Sequence, residues 1–349
     1  MNLIIDTILK SKQEELPFVV YRKPNSDILS GFFQQNNSLF FTENYTESGF
    51  VFAPFNDENK AVLIPENQSK FLQEKSSIDN EFTYKENFEA ATSFKANHLK
   101  SVENALYNIN KNALKKVVIS RKETVQLSDF KLIEVYQKLL LKYPNAFVYI
   151  WFHSKVGLWL GATPETLFSL TGNVFKTMSL AGTQVYNGTK NVLWKNKEIE
   201  EQLLVTEFIE SQLSSMVTNL KINKTETVKA GNLLHLKTEV SGKLHNEKGR
   251  LNNFIKALHP TPAVCGLPRQ KAKDFILENE NYKRTFYTGF LGELNLRNNK
   301  SSLFVNLRCM EIEKNFAHIY VGGGITKDSN PLKEWEETVS KSKVMKSVL

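Results

Sequence analysis

The sequence predicts an α+β fold, because strand-like and helix-like segments are interleaved without the regular alternation of a doubly wound sheet. Runs rich in aromatic and β-branched residues, such as 18–21 and 146–152, predict strands. Apolar residues at helical spacing, as at Leu99, Val102 and Leu106, predict amphipathic helices. The chain has 349 residues, 41% of them hydrophobic, so it is long enough to bury a large core.

The first 93 residues differ from the rest of the chain in the length and type of the elements they predict. Residues 1–93 read as short strands at 18–21, 39–41 and 49–52 joined by loops, with a polar loop predicted at 66–87. Residues 94–349 hold the longer elements. We predict helices at 97–111, 128–142, 195–219, 250–258, 268–278 and 331–347. We predict strands at 116–121, 146–152, 157–161, 166–185 (a pair around the turn at Gly172), 225–241, 286–296, 302–313 and 316–322.

The charge balance gives little indication of a nucleic-acid partner. Lys and Arg total 45 against 37 Asp and Glu, which leaves a net charge of +8 without a long block of like charges. A nucleic-acid binder would concentrate its charge in a stripe with exposed aromatic residues. Nucleic-acid binding is therefore the least favoured alternative, and the diffuse positive charge suits a small anionic substrate.

The two cysteines, Cys265 and Cys309, exclude a disulfide framework and favour a reducing compartment. No apolar stretch approaches the roughly 18 residues of a membrane span, and residues 1–16 lack the pattern of a signal peptide. We therefore expect a cytoplasmic protein that acts on a small molecule. We expect no membrane or nucleic-acid partner and no obligate protein partner, so that the assembly is a monomer or a weak homodimer.

Two predicted helices carry pairs of glutamates on one face. Glu198 and Glu201 are three positions apart, as are Glu334 and Glu337, and Lys341 shares the face of the second pair. Carboxylates this close repel one another unless a cation joins them, and Mg²⁺ prefers oxygen ligands. One hypothesis is a shared Mg²⁺ site. The other is two solvated acidic helix faces, since surface glutamate pairs are common.

Three further segments have both a chemical and a structural interpretation. Lys116 begins a predicted strand. It is interpreted either as a general base or as a lysine whose amine reaches water at the strand end. Glu165 lies on a turn that contains Gly and Pro. It is interpreted either as a protonated general acid or as a solvated turn residue. The segment 322–324 is three glycines, which either admit an anion close to the backbone or form a tight turn before the last helix.

Histidine and cysteine give weaker signals. His259 and Cys265 lie in one stiff loop with two prolines, but no third group orients them as a nucleophilic pair. His235 lies in a predicted strand, where a core role competes with a role beside a ligand. The six histidines and two cysteines do not have the spacing of a zinc site.

Ten short motifs occur in order along residues 116–338, and as a set they are specific. They are Lys-Val-Val-Ile-Ser-Arg (116–121), Gly-Ala-Thr-Pro-Glu (161–165), Leu-Ala-Gly-Thr (180–183), Lys-Glu-x-x-Glu (197–201), His-Leu-x-Thr-x-Val-x-Gly (235–242), His-Pro-Thr-Pro-Ala-Val-x-Gly (259–266), Tyr-x-Gly-x-x-Gly (287–292), Leu-Arg-Cys (307–309), Gly-Gly-Gly-Ile-Thr-x-Asp-Ser-x-Pro (322–331) and Glu-Trp-x-Glu-Thr (334–338). The set resembles the chorismate-utilising enzyme family, and within it the isochorismate synthases. The resemblance covers about residues 94–349, the chorismate-binding catalytic region. Residues 1–93 are interpreted as a divergent N-terminal part of the same large domain.

The resemblance implies a fold and a metal. Two antiparallel sheets are expected to pack face to face, with helices outside and the active site in a deep cleft. Mg²⁺ is implied, in agreement with the acidic helices. Glu201 and Glu337 match the principal metal ligands of the family, and Glu198 and Glu334 match supporting positions reached through waters. Position 198 is often Asp in relatives.

The resemblance also implies how chorismate, a dianion, is held. Lys341 and the metal would bind the ring carboxylate. Arg308 and Tyr287 match positions that bind the enolpyruvyl carboxylate, and the fork of Arg suits a carboxylate. Backbone N–H groups of the glycine segment would assist. The remaining matched positions belong to the ring pocket and its surroundings: Gly182, Thr183, His235, Thr261, Ala263, Gly322 and Gly323.

The implied reaction is the isomerisation of chorismate to isochorismate, in which water attacks C2 and the C4 hydroxyl leaves. Lys116 matches the general base and must be neutral to act. Glu165 matches the general acid and must be protonated, and desolvation raises the pKa of a buried carboxyl. The product would serve menaquinone or siderophore biosynthesis.

Sister activities differ at a few positions. Anthranilate synthases lack a lysine at the position of Lys116, and aminodeoxychorismate synthases carry a nucleophilic lysine at that of Ala181. Salicylate synthases go on to eliminate pyruvate and tend to have Thr at the position of Ala263. The residues favour isochorismate synthase, with salicylate synthase and a non-catalytic chorismate-binding relative as alternatives.

Overall fold

The computed structural model describes residues 3–78, 81–84, 94–231, 233–246, 249–296 and 299–349. Within these ranges the helices are α1 (Leu3–Gln13), α2 (Lys95–Asn110), α3 (Leu132–Lys142), α4 (Asn196–Leu213), α5 (Arg250–Leu258), α6 (Arg269–Asn279) and α7 (Pro331–Lys346), with a 3₁₀ turn at Glu66–Gln68. The strands are β1 (Phe18–Arg22), β2 (Ile28–Gln34), β3 (Phe40–Thr42), β4 (Gly49–Ala53), β5 (Ala61–Pro65), β6 (Ser69–Lys75), β7 (Lys116–Gln126), β8 (Phe147–His153), β9 (Gly157–Thr163), β10 (Thr166–Thr171), β11 (Val174–Val185), β12 (Val217–Ile222), β13 (Glu226–Ala230), β14 (Leu233–Leu244), β15 (Gly266–Leu267), β16 (Phe290–Leu296), β17 (Lys300–Val305), β18 (Cys309–Glu313) and β19 (Phe316–Ile325).

The strands form two antiparallel sheets. Over the described ranges the first sheet has nine strands, in the order β15–β7–β19–β18–β9–β8–β1–β2–β6. The second has ten, in the order β12–β14–β11–β10–β17–β16–β4–β5–β3, with β13 also paired to β14. Strands from the N-terminal part of the chain therefore lie in both sheets.

An aromatic core joins the two sheets face to face. In β8, alternate residues Phe147, Tyr149 and Trp151 point into this core, as the two-residue period of a strand requires. The ring of Phe147 stacks on that of Phe304 from the second sheet, with centroids 4.1 Å apart. The ring of Phe52, also from the second sheet, meets Trp151 edge to face at 5.1 Å. Large apolar side chains thus make most of the contact between the sheets, and buried polar pairs such as Tyr21 Oη with Glu293 Oε1, at 2.5 Å, join them as well.

Helices cover the outer faces and the β7 end of the first sheet. Buried side chains of α1, α3 and the end of α7 pack on the outer face of the first sheet. Those of α4 and α5 pack on the second sheet. Helices α2 and α6 pack against β7. None of the helices in the described ranges is long and apolar enough to cross a membrane.

The structure confirms most predicted elements and corrects four. Residues 3–13 form helix α1, whose Ile4 and Ile8 are buried, although only strands and loops were predicted there. The polar segment 66–87 contains strand β6, paired with β2, and part of that segment lies outside the described residues. Helix α4 ends at Leu213 rather than near residue 219, because Val217 begins β12.

The fourth correction shapes the site. The predicted strand 302–313 is two strands, β17 and β18, separated by residues 306–308. Arg308 in this break has a φ of +47°, in the left-handed region rather than in the extended range of a regular strand. Asn306, fully buried, holds the break open, because its amide accepts from Tyr149 Oη at 2.7 Å and donates to the Phe286 carbonyl at 3.0 Å.

Candidate active site

One cavity gathers most of the predicted site residues. It lies between β7 and β19 of the first sheet and β11 and β14 of the second, and loops from 164–165, 263–264, 287–288 and 307–308 close its sides. The predicted residues that line it are Glu165, Gly182, Thr183, Glu201, His235, Ala263, Tyr287, Arg308, Gly322, Gly323 and Lys341. Predicted site residues up to 176 positions apart in sequence, from 165 to 341, therefore line the same cavity.

Lys116, the predicted base, is fully buried directly behind the wall of this cavity. Its Nζ lies 3.0 Å from Oε1 of Glu201, which lines the cavity. The Nζ makes no hydrogen bond of good geometry within the described residues. A buried amine without a full set of acceptors costs free energy, so this position is one that a ligand or a catalytic role would explain.

Glu165, the predicted acid, is 4% exposed on the turn between β9 and β10. Burial raises the pKa of its carboxyl to about 8, although Lys116, Arg308 and Lys341 oppose the rise. The backbone fixes the turn, since the Glu165 carbonyl accepts from Val305 N at 3.0 Å. At neutral pH the side chain is thus mainly protonated and can donate a proton.

His235 is a neutral hydrogen-bonding group beside the cavity. Its Nδ1 lies 2.8 Å from the carbonyl oxygen of Gly182, so that Nδ1 must carry the hydrogen. Burial, reinforced by Arg308 and Lys341, lowers the pKa of the imidazole to about 3. Its Nε2, buried without a partner among the described residues, is left as an acceptor. His235 therefore combines a strand position with a polar atom free for a ligand.

Gly182 is required by its backbone and by its neighbour. It has a φ of +70°, in the left-handed region that favours glycine. A Cβ on this residue would lie 3.1 Å from Cβ of Glu198 on α4. Glycine at this position therefore lets β11 approach the N-terminal turn of α4, which carries the acidic pair.

Arg308 and Tyr287 supply the cationic and phenolic groups predicted for a carboxylate. The break between β17 and β18 presents Arg308 to the cavity, and burial lowers the pKa of its guanidinium without discharging it. Tyr287 stacks on Tyr320, with ring centroids 5.5 Å apart. Burial raises the pKa of the Tyr287 hydroxyl, so that it stays protonated and can donate a hydrogen bond.

The three glycines lie within a strand and not in a turn, which corrects the structural interpretation given to them above. In β19 they pair with Gly322↔Ser120, Gly323↔Ile119 and Gly324↔Val118 of β7. A Cβ at Gly324 would lie 2.1 Å from Oε1 of Glu201 and 3.0 Å from Cε of Lys116. Glycine here makes room for the Lys116–Glu201 pair, which no larger residue permits.

The acidic faces of α4 and α7 meet beside these glycines. Asn330 caps α7 and Pro331 begins it, which places Glu334 in the first turn. The position of a Cβ on Gly323 lies 3.2 Å from Glu334 Oε2 and 3.6 Å from Glu337 Oε1. The predicted sharing of one face by Glu334, Glu337 and Lys341 is thus reproduced, and Lys341 Nζ lies 2.6 Å from Glu337 Oε1.

Lysines neutralise these carboxylates. Lys197 Nζ lies 2.5 Å from Glu334 Oε1. Burial alone lowers the pKa of Lys197, but Glu334, Glu337 and Glu201 raise it overall. Burial and the charge of Glu337 raise the pKa of Glu334. Burial also acts to raise the pKa of Glu337, but Lys341 and Lys197 hold it below its usual value. Lys197 is a site residue that the sequence reading passed over, although it directly precedes Glu198.

The carboxylates of the four glutamates suit a hard cation for two reasons: they offer oxygen ligands, and one of their buried oxygens has no hydrogen-bond partner among the described residues. Glu334 Oε2 is buried without a hydrogen-bond partner among the described residues, which is costly unless a ligand completes it. All four glutamates offer oxygen, the ligand that Mg²⁺ prefers. In the arrangement described, no three carboxylate, imidazole or thiol groups are close enough together to form a metal cluster. Glu198 instead accepts from Lys195 N at 3.1 Å and caps its own helix.

Five predicted site residues do not line this cavity: Lys116 lies behind its wall, Glu198, Glu334 and Glu337 border a neighbouring pocket, and Thr261 borders neither. Thr261, a predicted substrate-binding residue, does not line the cavity, while Ala263 two residues on does. The hydroxyl of Thr261 is buried without a partner among the described residues. Cys265 is buried, and burial raises the pKa of its thiol to about 12, which removes it as a nucleophile. His259 Nε2 lies 3.0 Å from the Thr288 carbonyl and therefore braces a loop.

Comparison with known proteins decides the family. The chorismate binding enzyme family matches residues 40–349. The chain belongs to this family. Among relatives of this chorismate binding enzyme, the isochorismate synthase MenF of Haemophilus influenzae is 27% identical over 312 residues, which are 82% of this chain and 70% of that protein. The vibriobactin-specific isochorismate synthase of Vibrio cholerae is 30% identical over 259 residues, 70% of this chain and 64% of that protein.

A solved structure confirms the predicted fold of the chorismate binding enzyme. DhbC of Bacillus anthracis, named as a 2,3-dihydroxybenzoate-specific isochorismate synthase, superimposes with a TM-score of 0.81 at 23% identity. The superposition covers 99% of each chain. The α+β architecture of two packed antiparallel sheets is therefore that of the family.

Proposed function

We infer that this chorismate binding enzyme is an isochorismate synthase, which converts chorismate to isochorismate. The observation that carries the inference is the pairing of two buried groups at one cavity. Lys116 is an amine in contact with a cavity wall, and Glu165 is a carboxyl whose burial raises its pKa to about 8. Addition of water at one ring carbon with loss of hydroxide at another requires one base and one acid of these kinds.

The cavity suits a dianion. We propose that Arg308 and Tyr287 bind the enolpyruvyl carboxylate and that Lys341 lies toward the ring carboxylate. Lys341 Nζ donates to the Gly322 carbonyl at 2.9 Å, which fixes the amine at the glycine segment. The N–H groups of Gly322 and Gly323 would assist. His235 Nε2, as an acceptor, would face a ring hydroxyl, with Gly182 and Thr183 beside the ring.

The proposed chemistry assigns one proton transfer to each group. Lys116, in its neutral form, takes a proton from the water that attacks C2. Glu165 gives its proton to the C4 hydroxyl, which leaves as water. The ring double bonds shift between the two carbons, so that one water enters and one leaves. The low exposure of Lys116 and Glu165 restricts bulk water at both transfers.

We further propose that the enzyme uses Mg²⁺, held by Glu201 and Glu337 with Glu198 and Glu334 reached through waters. Two observations support this site: the Glu334 oxygen without a partner, and the approach of α7 to Gly323 and of α4 to the adjacent Gly324. When bound, Mg²⁺ supplies orientation and charge neutralisation for the ring carboxylate. Residues Lys197 and Lys341 balance the same carboxylates in the arrangement described.

The competing family reactions are disfavoured by small residues at the cavity wall. Ala181 lines the cavity and offers no amine for a covalent route. Ala263, also at the wall, lacks the hydroxyl that we associate with pyruvate elimination. We therefore propose that the reaction stops at isochorismate. We also propose that the enzyme is cytoplasmic and needs no obligate protein partner.

Product analysis tests the proposal. The purified protein is incubated with chorismate and Mg²⁺, isochorismate and salicylate are separated by chromatography, and pyruvate is followed with lactate dehydrogenase. We expect isochorismate without enzymatic pyruvate. Pyruvate released with salicylate would make the protein a salicylate synthase. Tight binding of chorismate without turnover would make it a non-catalytic relative.

A further inference from the structure

A buried ion pair lies behind the cavity wall, outside the residues assigned to the reaction. Arg284 follows α6, and Glu280 caps the end of that helix. The two side chains are 2% and 3% exposed. Nε and Nη2 of Arg284 donate to the two oxygens of Glu280 at 2.7 and 2.6 Å, in a bidentate pair.

The remaining N–H groups of Arg284 reach three separate segments. Nη2 donates to the Val118 carbonyl on β7 at 2.8 Å. Nη1 donates to the Val264 carbonyl at 2.9 Å and to Thr288 Oγ1 at 3.2 Å. With the two bonds to Glu280, all five N–H groups of the guanidinium have an acceptor.

The three segments share one property. Val118, Val264 and Thr288 all line the candidate active site, whereas Arg284 does not. Val264 adjoins Ala263, and Thr288 adjoins Tyr287, the residue proposed to bind the enolpyruvyl carboxylate. One buried guanidinium therefore ties together three walls of the cavity that come from distant parts of the chain.

Glu280 is itself anchored to the same wall. The backbone N–H and the hydroxyl of Ser120 donate to Glu280 Oε1 at 2.9 and 2.6 Å. Ser120 lies on β7 opposite Gly322. The pair is thus fixed from both ends, and Glu280 holds the orientation of the Arg284 fork.

We propose that Arg284, oriented by Glu280, is a positioning residue that sets the geometry of the substrate-binding walls at Val264 and Thr288. The effect on the reaction rests on the proposed function. Strand β7, which carries Lys116, is also held by its backbone pairing with β19 and β15. The loops at 261–265 and 284–289 lie outside the strands and are held by isolated backbone bonds, such as those from Val118 N to Cys265 O at 2.7 Å and from Thr288 N to Asn306 O at 2.9 Å, rather than by a continuous ladder. Loss of the fork should therefore disturb substrate binding more than the proton transfers.

The test compares Arg284→Lys with Arg22→Lys. Lysine keeps the charge but lacks the planar fork of five donors. Arg22 is a matched control, since it is also buried and braces three backbone carbonyls, those of Leu140, Tyr143 and Ala146. None of these carbonyls belongs to a residue lining the candidate site. Steady-state kinetics with chorismate and hydrogen exchange by mass spectrometry are measured for both variants and the parent.

For Arg284→Lys we expect KM for chorismate to rise about tenfold, with kcat within about threefold of the parent. Amides of 261–266 and 284–289 should exchange faster in the free protein. Arg22→Lys should leave KM unchanged and loosen a different region. If both variants lose kcat in proportion to lost folded protein and keep the parental KM, the positioning role is wrong.

Two safeguards keep the result decisive. If Arg284→Lys does not fold, Ser120→Ala, which removes one hydroxyl from Glu280, should raise KM in the same direction by a smaller factor, and an unchanged KM would overturn the proposal. If the parent protein does not turn over chorismate, the proposed function fails. Hydrogen exchange then decides the positioning role alone, because faster exchange confined to the two loops supports it and uniform exchange contradicts it.

Discussion

Lys116 and Glu165 show how much of a site depends on burial that single residues do not reveal. Each is an ordinary surface residue type, and spacing alone favours a solvated role for both. In the structure both are buried, and Glu165 keeps its proton near neutral pH for that reason. Only the order of the motifs predicted these roles. The enclosure that produces them comes from distant strands, which local sequence does not specify.

Substitution of the acid has two expected effects. Glu165→Gln keeps the shape but removes the proton, so kcat should fall about 10²–10⁴-fold while chorismate still binds. In the parent, kcat/KM should decline as the pH rises through about 8, where the Glu165 carboxyl of the free enzyme ionises. A kcat of the variant close to that of the parent would contradict the assignment.

The same substitution should stabilise the protein at alkaline pH. The folded-state pKa of Glu165 lies above its unfolded value, so the unfolded state loses this proton first as the pH rises from the usual carboxyl value of 4.5 to about 8. Folding stability therefore declines over that interval and stays lower above it. Glu165→Gln should have the higher Tm above pH 8 in thermal scans, and an equal or lower Tm would argue against a buried, strained carboxyl.

At the scale of elements, the glycine segment of β19 was the least well predicted. Three consecutive glycines suggest a turn, yet they lie near the end of β19 and are still paired with β7. Their role is steric, because the side chains of α4 and β7 occupy the space where a Cβ would lie. That reason exists only once the two sheets have packed. Regular amphipathic helices such as α2 and α6 were predicted to within about two residues because their apolar spacing is local.

Alanine substitutions in this segment should have graded effects. Gly324→Ala would place a methyl group 2.1 Å from Glu201 Oε1 and should displace the Lys116–Glu201 pair, with kcat falling about a hundredfold. Gly323→Ala meets Glu334 Oε2 at 3.2 Å and should cost less. Kinetics of the two purified variants at saturating Mg²⁺ check the order, and an equal loss in both would contradict the steric argument.

The facing helices α4 and α7 make the proposed metal site testable without turnover. A cation that binds only the folded protein raises Tm, by an amount that grows with the logarithm of its concentration over its Kd. We expect Mg²⁺ to raise the Tm of the parent and of Glu207→Gln, a control at an exposed position of α4. Glu201→Gln and Glu337→Gln should abolish that rise, and chelation should abolish activity of the parent. A Tm rise that survives both substitutions would place the cation elsewhere.

At the scale of the whole molecule, two sheets that meet through aromatic side chains create a rigid frame for a polar cleft. The α+β fold class of this frame was predictable from strand-like runs interleaved with helices. The pairing of β7 with β19, about 200 residues apart in sequence, was not, because no local pattern encodes it. The N-terminal strands join both sheets although their sequence carried no motif, because backbone pairing and apolar packing place them without one.

The aromatic core between the sheets should dominate stability. Phe304→Ala removes a ring stacked 4.1 Å from Phe147 and should cost about 3–5 kcal/mol of unfolding free energy in urea titrations. Phe316, 41% exposed on β19, provides the comparison, and Phe316→Ala should cost under about 1 kcal/mol. Equal losses would show that the sheets are not held mainly by this core.

The central claim is that water enters at C2 as the C4 hydroxyl leaves, with Lys116 as base. Its most direct test is turnover of chorismate in ¹⁸O-labelled water, with the product examined by mass spectrometry beside Lys116→Gln. The account predicts isochorismate that carries one ¹⁸O atom at C2 and is formed by the parent but not by the variant. Unlabelled isochorismate, or labelled product made equally well without Lys116, would contradict it.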